Sequence, residues 1–173
     1  MRYMVREHFF RLGEDNDILD EQAQPAYQVD GKALSLRSLM IVNDLNGNEV
    51  ARVHRKLAAL LPHYEVDFPG VPGPTEVHQR FSSPLSPKWT ISQPGQPDLE
   101  MTGNFFGHDF TIARDGTQVA SISKQWISIT DTYGVDIAAG ENDLLILCSV
   151  LALEAEQDAH ARNSGITGGG GII

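Results

Sequence analysis

One stretch of this 173-residue chain limits what it can fold into more than any other. Residues 144–156 contain no glycine and no proline, so they can run as one uninterrupted helix. Asn142 and Asp143 stand just ahead of them as capping residues. The apolar members, Leu144, Leu145, Ile146, Leu147, Val150, Leu151 and Leu153, do not gather on one stripe but occupy every side. A helix that is apolar all round has to be enclosed all round. Burying seven such side chains contributes roughly 10–20 kcal/mol before the entropy of ordering them is subtracted.

The rest of the chain supplies short strands to enclose it. Phe9-Phe10-Arg11-Leu12 precedes a turn at Gly13, and Ala26-Tyr27-Gln28-Val29 runs into Asp30-Gly31, a hairpin signal. Leu39-Met40-Ile41-Val42 runs into a turn ending in Asn46-Gly47, and Glu49-Val50-Ala51-Arg52-Val53-His54 resumes with period-two alternation. Further strands are expected at Trp89-Thr90-Ile91, Asp109-Phe110-Thr111-Ile112, Val119-Ala120-Ser121-Ile122, Ile127-Ser128-Ile129 and Tyr133-Gly134-Val135-Asp136-Ile137. Residues 68–87 hold five of the nine prolines and read as loop, with at most an edge strand at Glu76-Val77-His78. One helix among so many strands implies a sheet curled into a barrel, because an open sheet would leave Leu145 or Leu147 wet. The chain therefore reads as one domain, 1–160, followed by a flexible glycine-rich tail, 161–173, with four consecutive glycines.

Two segments look alike. Gly47-Asn48-Glu49-Val50-Ala51-Arg52-Val53-His54-Arg55 matches Gly116-Thr117-Gln118-Val119-Ala120-Ser121-Ile122-Ser123-Lys124 in its turn glycine, its Val-Ala pair and its final basic residue. Either two β-rich halves arose by duplication, or two hairpins share a common grammar.

Several chemistries are excluded or disfavoured. A net charge of −10 repels phosphate backbones at long range, so nucleic acid is not an expected partner. The single cysteine, Cys148, permits no internal disulfide and sits in an apolar run as an inert core residue. The longest apolar run, 144–153, is half the length of a bilayer crossing, and no signal-peptide core is visible at the start, so a cytoplasmic protein without a membrane span is expected. No Gly-x-Ser-x-Gly, Walker or dinucleotide motif occurs. His8, His54, His63, His78, His108 and His160 fall in no metal-ligating frame, and His108-Asp109 reads as surface polarity in a turn. Asp15-Asn16-Asp17 with Asp20-Glu21 lacks the glycine and spacing of a calcium loop and reads as a solvated turn. Asp131 to Asp136 reads as turn and strand, and Trp89 and Trp126 as sheet packing rather than a ligand surface.

Taken in order, Tyr3, Phe9-Phe10-Arg11-Leu12-Gly13, Tyr27-Gln28-Val29-Asp30-Gly31-Lys32, Asp44-Leu45-Asn46-Gly47-Asn48-Glu49-Val50-Ala51, Arg55-Lys56-Leu57, Pro62-His63-Tyr64-Glu65-Val66 and the apolar helix resemble the LURP-one-related family. That resemblance covers nearly everything from Tyr3 to Glu156. It implies a closed antiparallel barrel of about twelve strands around a central C-terminal helix, similar to the tubby C-terminal domain and to phospholipid scramblases. Tubby domains bind phosphoinositides through basic residues on the barrel surface, and the positions that could serve here are Arg55, Lys56 and Lys124. The chain departs from a scramblase in lacking palmitoylated cysteines and a membrane-inserting end. The expected function is a non-catalytic, cofactor-free, metal-free binding or scaffold domain with a protein or small ligand as partner. The alternative is weak phospholipid headgroup binding through those three cations.

Overall fold

The computed structural model describes residues 1–7, 16–31, 39–82, 87–125, 127 and 130–167. Twelve strands precede one helix: β1 (Arg2–Arg6), β2 (Asn16–Asp20), β3 (Pro25–Gly31), β4 (Leu39–Asn43), β5 (Glu49–Arg55), β6 (His63–Asp67), β7 (Thr75–Arg80), β8 (Lys88–Ser92), β9 (Leu99–Asn104), β10 (Asp109–Arg114), β11 (Thr117–Ser123), β12 (Thr132–Ile137) and α1 (Asp143–Thr167). Each strand pairs with its neighbours in sequence, and β1 pairs with β12 through Tyr3↔Val135 and Val5↔Tyr133, closing the barrel. Closure gives each of the twelve described strands a partner on both sides. The barrel around a C-terminal helix is the architecture expected from the helix's composition.

Alternation decides which side chains face the helix. Met40 and Val42, Ala51 and Val53, and Tyr64 and Val66 are fully buried, while their strand neighbours reach outward. The helix is hidden without a break from Leu145 to Glu156. Its start is fixed by Asn142, whose Oδ1 accepts from the Leu145 amide at 3.1 Å while its carbonyl accepts the Ile146 amide at 3.1 Å. Tyr3 donates its hydroxyl to Asp143 at 2.7 Å, tying the first strand to the first helical turn. Ser149, buried mid-helix, donates to the Leu145 carbonyl at 2.8 Å, so its hydroxyl is satisfied within the helix.

The matched segments occupy equivalent hairpins. β4–β5 turns at Gly47 (φ 82°) and β10–β11 turns at Gly116 (φ 79°), six strands apart around the barrel. In both, the valine of the Val-Ala pair is skipped in the ladder: Ala51 pairs with Val42 and Glu49 with Asn43, while Ala120 pairs with Ile112 and Gln118 with Ala113. The two hairpins thus share their turn glycine and the bulge at the valine.

Five expectations need correction. The Asp30-Gly31 pair does not turn; both residues stay in β3, opposite Ile41 and Met40. The proline-rich stretch holds a full strand, β7, paired on both sides rather than at an edge, because Pro69, Pro72, Pro74 and Pro87 all lie outside its ladder. Asn16 to Asp20 is strand β2 rather than a solvated turn, with Ile18 completely buried; Asp15 lies outside the described residues. His108 is a buried residue rather than surface polarity, as set out below. The helix runs to Thr167, seven residues into the stretch read as tail, since nothing before Gly165 breaks it; residues 168–173 lie outside the described residues. The strand expected at residues 9–12, and Ser128 and Ile129 of that at 127–129, also lie outside them, as does Trp126, whereas Trp89 is buried at 4% exposure.

Gly103 in β9 adopts φ 136°, and a Cβ there would lie 2.6 Å from the Phe110 Cα and 2.7 Å from the Asp109 carbonyl oxygen. Gly103→Ala is expected to destabilise the fold by about 1–3 kcal/mol, read as a lowered melting temperature, because the clash is with backbone across the ladder. An unchanged melt would show that the wall yields there.

Candidate functional site

Adjacent strands are antiparallel, so all odd-numbered strands end at one end of the barrel. The helix enters at the opposite end and leaves at this one. At the entry end Arg114 makes a bidentate clasp on Glu141, 2.7 Å at each oxygen, beside a groove of about 420 Å³. At the exit end the helix carries three buried acids, Glu154, Glu156 and Asp158.

Each of the first two is met by a tyrosine from one half of the barrel. Tyr133 of β12 donates to Glu154 at 3.3 Å, and Tyr64 of β6 donates to Glu156 at 3.0 Å. His108, held at φ 49° in the β9–β10 turn so that its ring faces inward, lies with Nε2 2.9 Å from the same Glu154 oxygen and stacks on Tyr133 at 4.4 Å. Burial, reinforced by Glu154, pushes the Tyr133 phenol well above its ordinary range, so it stays a donor. Glu156 also takes Arg55 at 3.3 Å and His160 at 3.3 Å. The carboxylates are thereby bound within the protein, and the cluster fastens the helix to both halves of the wall.

Arg55, Lys56 and Lys124 all lie at the exit end. Arg55 and Lys56 sit on β5 and just beyond it, while Lys124 follows β11, six strands away around the barrel. Each faces a carboxylate: Arg55 meets Glu156, Lys56 meets Glu65 at 2.8 Å, and Lys124 meets Glu7 at 2.6 Å. The hydrogen bond to Glu65 raises the Lys56 pKa and lowers that of Glu65, as expected of a tight pair.

The exit end also exposes large apolar side chains. Leu57, Leu60, Phe81 and Phe106 are 51%, 96%, 85% and 70% exposed. Two depressions open among them and meet at Gln79. One, about 470 Å³, is bordered by Leu60, Pro62, His63, His78, Arg80 and Phe81. The other, about 170 Å³, lies between Trp89, Phe105, Phe106 and the emerging helix at Leu153, Gln157 and His160. Gln157 spans the second, donating its side-chain amide to the Phe105 carbonyl at 2.8 Å.

On the outer wall nearby, β5, β6 and β7 bring His54, His63, Glu65, Glu76 and His78 side by side. No sequence motif announces this set, because its members meet only across strands. Burial, then the neighbouring His63, lowers the His78 pKa. The inert reading of Cys148 agrees with its placement: it is wholly buried, and burial pushes its thiol far above its usual pKa. No helix among the described residues is long and apolar enough to cross a membrane.

The two tyrosines were missed from sequence, although a signal for them existed. The spacing that aligns Gly47 with Gly116 also aligns Tyr64-Glu65-Val66-Asp67 with Tyr133-Gly134-Val135-Asp136. Comparison with known proteins gives two findings. The family described as LURP-one-related matches residues 1–154. The uncharacterized protein YxjI of Bacillus subtilis is 30% identical over 150 residues, covering 86% of this chain and 88% of that protein. No solved structure matches.

Proposed function

The chain belongs to the LURP-one-related family, and from that premise we propose a non-catalytic, tubby-like binding domain whose partner engages the exit end of the barrel. The observation that carries this reading is the cluster of exposed Leu60, Phe81 and Phe106 around two depressions that meet at Gln79. Exposed aromatic and aliphatic side chains bordering a concavity are the usual mark of an interaction surface. The barrel interior supports the same reading, since the helix fills it and leaves no lumen for a substrate. The buried carboxylates Glu154 and Glu156 hold tyrosine, histidine and arginine partners, which suits anchoring rather than proton transfer. A cytoplasmic setting goes with this reading, given one buried cysteine and no disulfide pair.

The occupant we envisage is a protein segment or small molecule with apolar groups for Leu60, Phe81 and Phe106. Headgroup binding through Arg55, Lys56 and Lys124 ranks second because each cation already faces a carboxylate within 3.3 Å.

Native mass spectrometry of the gently purified chain, beside a Leu60→Ser/Phe81→Ser/Phe106→Ser variant, tests the siting. All three residues are exposed, so the variant is expected to keep its melting temperature and lose a mass surplus that the natural chain retains. A surplus that survives in the variant overturns the siting. So does a bare mass combined with no binding of an apolar dye such as anilinonaphthalene sulfonate.

A further inference from the structure

We propose that His63 Nε2, Glu65 and Glu76 form a divalent transition-metal site of the zinc class on the outer wall of the barrel, with Lys56 as its built-in competitor. The ligand atoms of the three lie within 4.8 Å of one another. The His63 Nε2 to Glu76 Oε1 distance is 3.7 Å. A tetrahedral ion with bonds of about 2.0–2.1 Å spaces its ligand atoms about 3.3 Å apart, so a few tenths of an ångström close that edge.

The wall itself sets the geometry. His63 and Glu65 are alternate residues of β6 and share its outer face. Glu76 sits directly across from Glu65 on β7, and His78 directly across from His63. Three donors on two paired strands in the middle of a closed sheet are held more firmly than donors on loops.

Three further observations single this set out from an ordinary charged surface. First, His63 Nε2 is shielded from water and has no hydrogen-bond partner, although it faces a carboxylate. Buried polar atoms in that state are rare and call for an explanation. Second, Glu65 is oriented from behind: its Oε2 lies 3.0 Å from His54 Nε2, and His54 Nδ1 lies 3.5 Å from Asp67. Outer partners of this kind aim and tune metal-binding carboxylates. Third, a cation already sits where an ion would, since Lys56 Nζ lies 2.8 Å from Glu65 and 4.0 Å from Glu76. The lysine side chain is 45% exposed on a flexible stem, so it can swing away when a metal arrives.

The site stands on the wall whether or not the neighbouring depression holds a ligand, although His63 borders both. Calorimetric titration of the untagged full chain with Zn²⁺, repeated with Co²⁺ and read by its visible absorption, tests it. Lys56→Met removes the competing charge and is expected to tighten Zn²⁺ binding by about tenfold. His63→Ala and Glu76→Gln, each in the Lys56→Met background, are expected to weaken it by at least about tenfold, with loss of the tetrahedral Co²⁺ bands. Equal affinity in the Lys56→Met chain with and without His63→Ala would place the ion elsewhere and overturn the proposal. The absence of any Zn²⁺ heat from the Lys56→Met chain at millimolar concentration would overturn it as well.

Discussion

Leu147→Asp is expected to leave no soluble folded protein. Leu147 is 1% exposed and is the third residue of a twelve-residue buried run on the helix, inside the closed barrel. The leucine's removal alone costs about 2–5 kcal/mol in a packed core. A carboxylate in its place adds a desolvation penalty of several kcal/mol that no neighbour offsets. The whole stability of a domain this size is about 5–15 kcal/mol, so the two terms together exhaust it. Leu147→Met, which nearly conserves volume, is expected to cost under about 1.5 kcal/mol and serves as control. Truncation after Ala139 makes the same point by removing the helix. Soluble yield and a circular-dichroism melt report the outcome. A cooperative melt from the truncated chain would show that the barrel stands without its core.

The second large effect belongs to His108. Replacing it with Asn keeps a residue that accepts the φ of 49° but removes the ring that meets Glu154 at 2.9 Å and stacks on Tyr133. Glu154 is 2% exposed, so it would lose a partner where water cannot substitute. A loss of about 1–3 kcal/mol is expected, the range for leaving a buried polar group without one of its hydrogen-bond partners. Adding Glu154→Gln to the same chain is expected to cost less than the sum of the two single changes, by about 1–3 kcal/mol, because the residues act as a unit. Denaturant melts of the four chains measure that difference. Strict additivity would mean that His108 merely fills space.

How much of this was legible beforehand depends on whether an interaction is local. The turn at Gly47 was readable because a positive φ selects glycine within a few residues. The helix was readable because thirteen residues without a breaker, apolar on all sides, allow no open packing. The Asp30-Gly31 pair misled for the complementary reason: turn chemistry is a preference, and pairing with Ile41 and Met40 in the ladder overrode it. The prolines of residues 68–87 suggested loop, yet all those described stand outside the ladder and leave β7 whole.

The candidate site was far less legible. The charge of Arg55, Lys56 and Lys124 is visible in the sequence, but only the folded chain supplies Glu156, Glu65 and Glu7 as their partners. His108 looked like a surface residue because its burial depends on a turn that points it at a helix 46 residues onward. His63, Glu65 and Glu76 become neighbours only when β6 pairs with β7 in one particular register.

The sequence alone therefore determined the architecture: an all-round apolar helix can be satisfied only by enclosure, and the surrounding short strands can enclose it only by closing. That conclusion follows from hydrophobic burial, which depends on residue type and periodicity and not on which partner is met. Tertiary structure decided the rest, namely which acids the tyrosines, histidines and cations meet and which apolar side chains remain outside. Those outcomes depend on strand register and helix depth, where a shift of one residue exchanges inward for outward, and no local pattern in the chain records them.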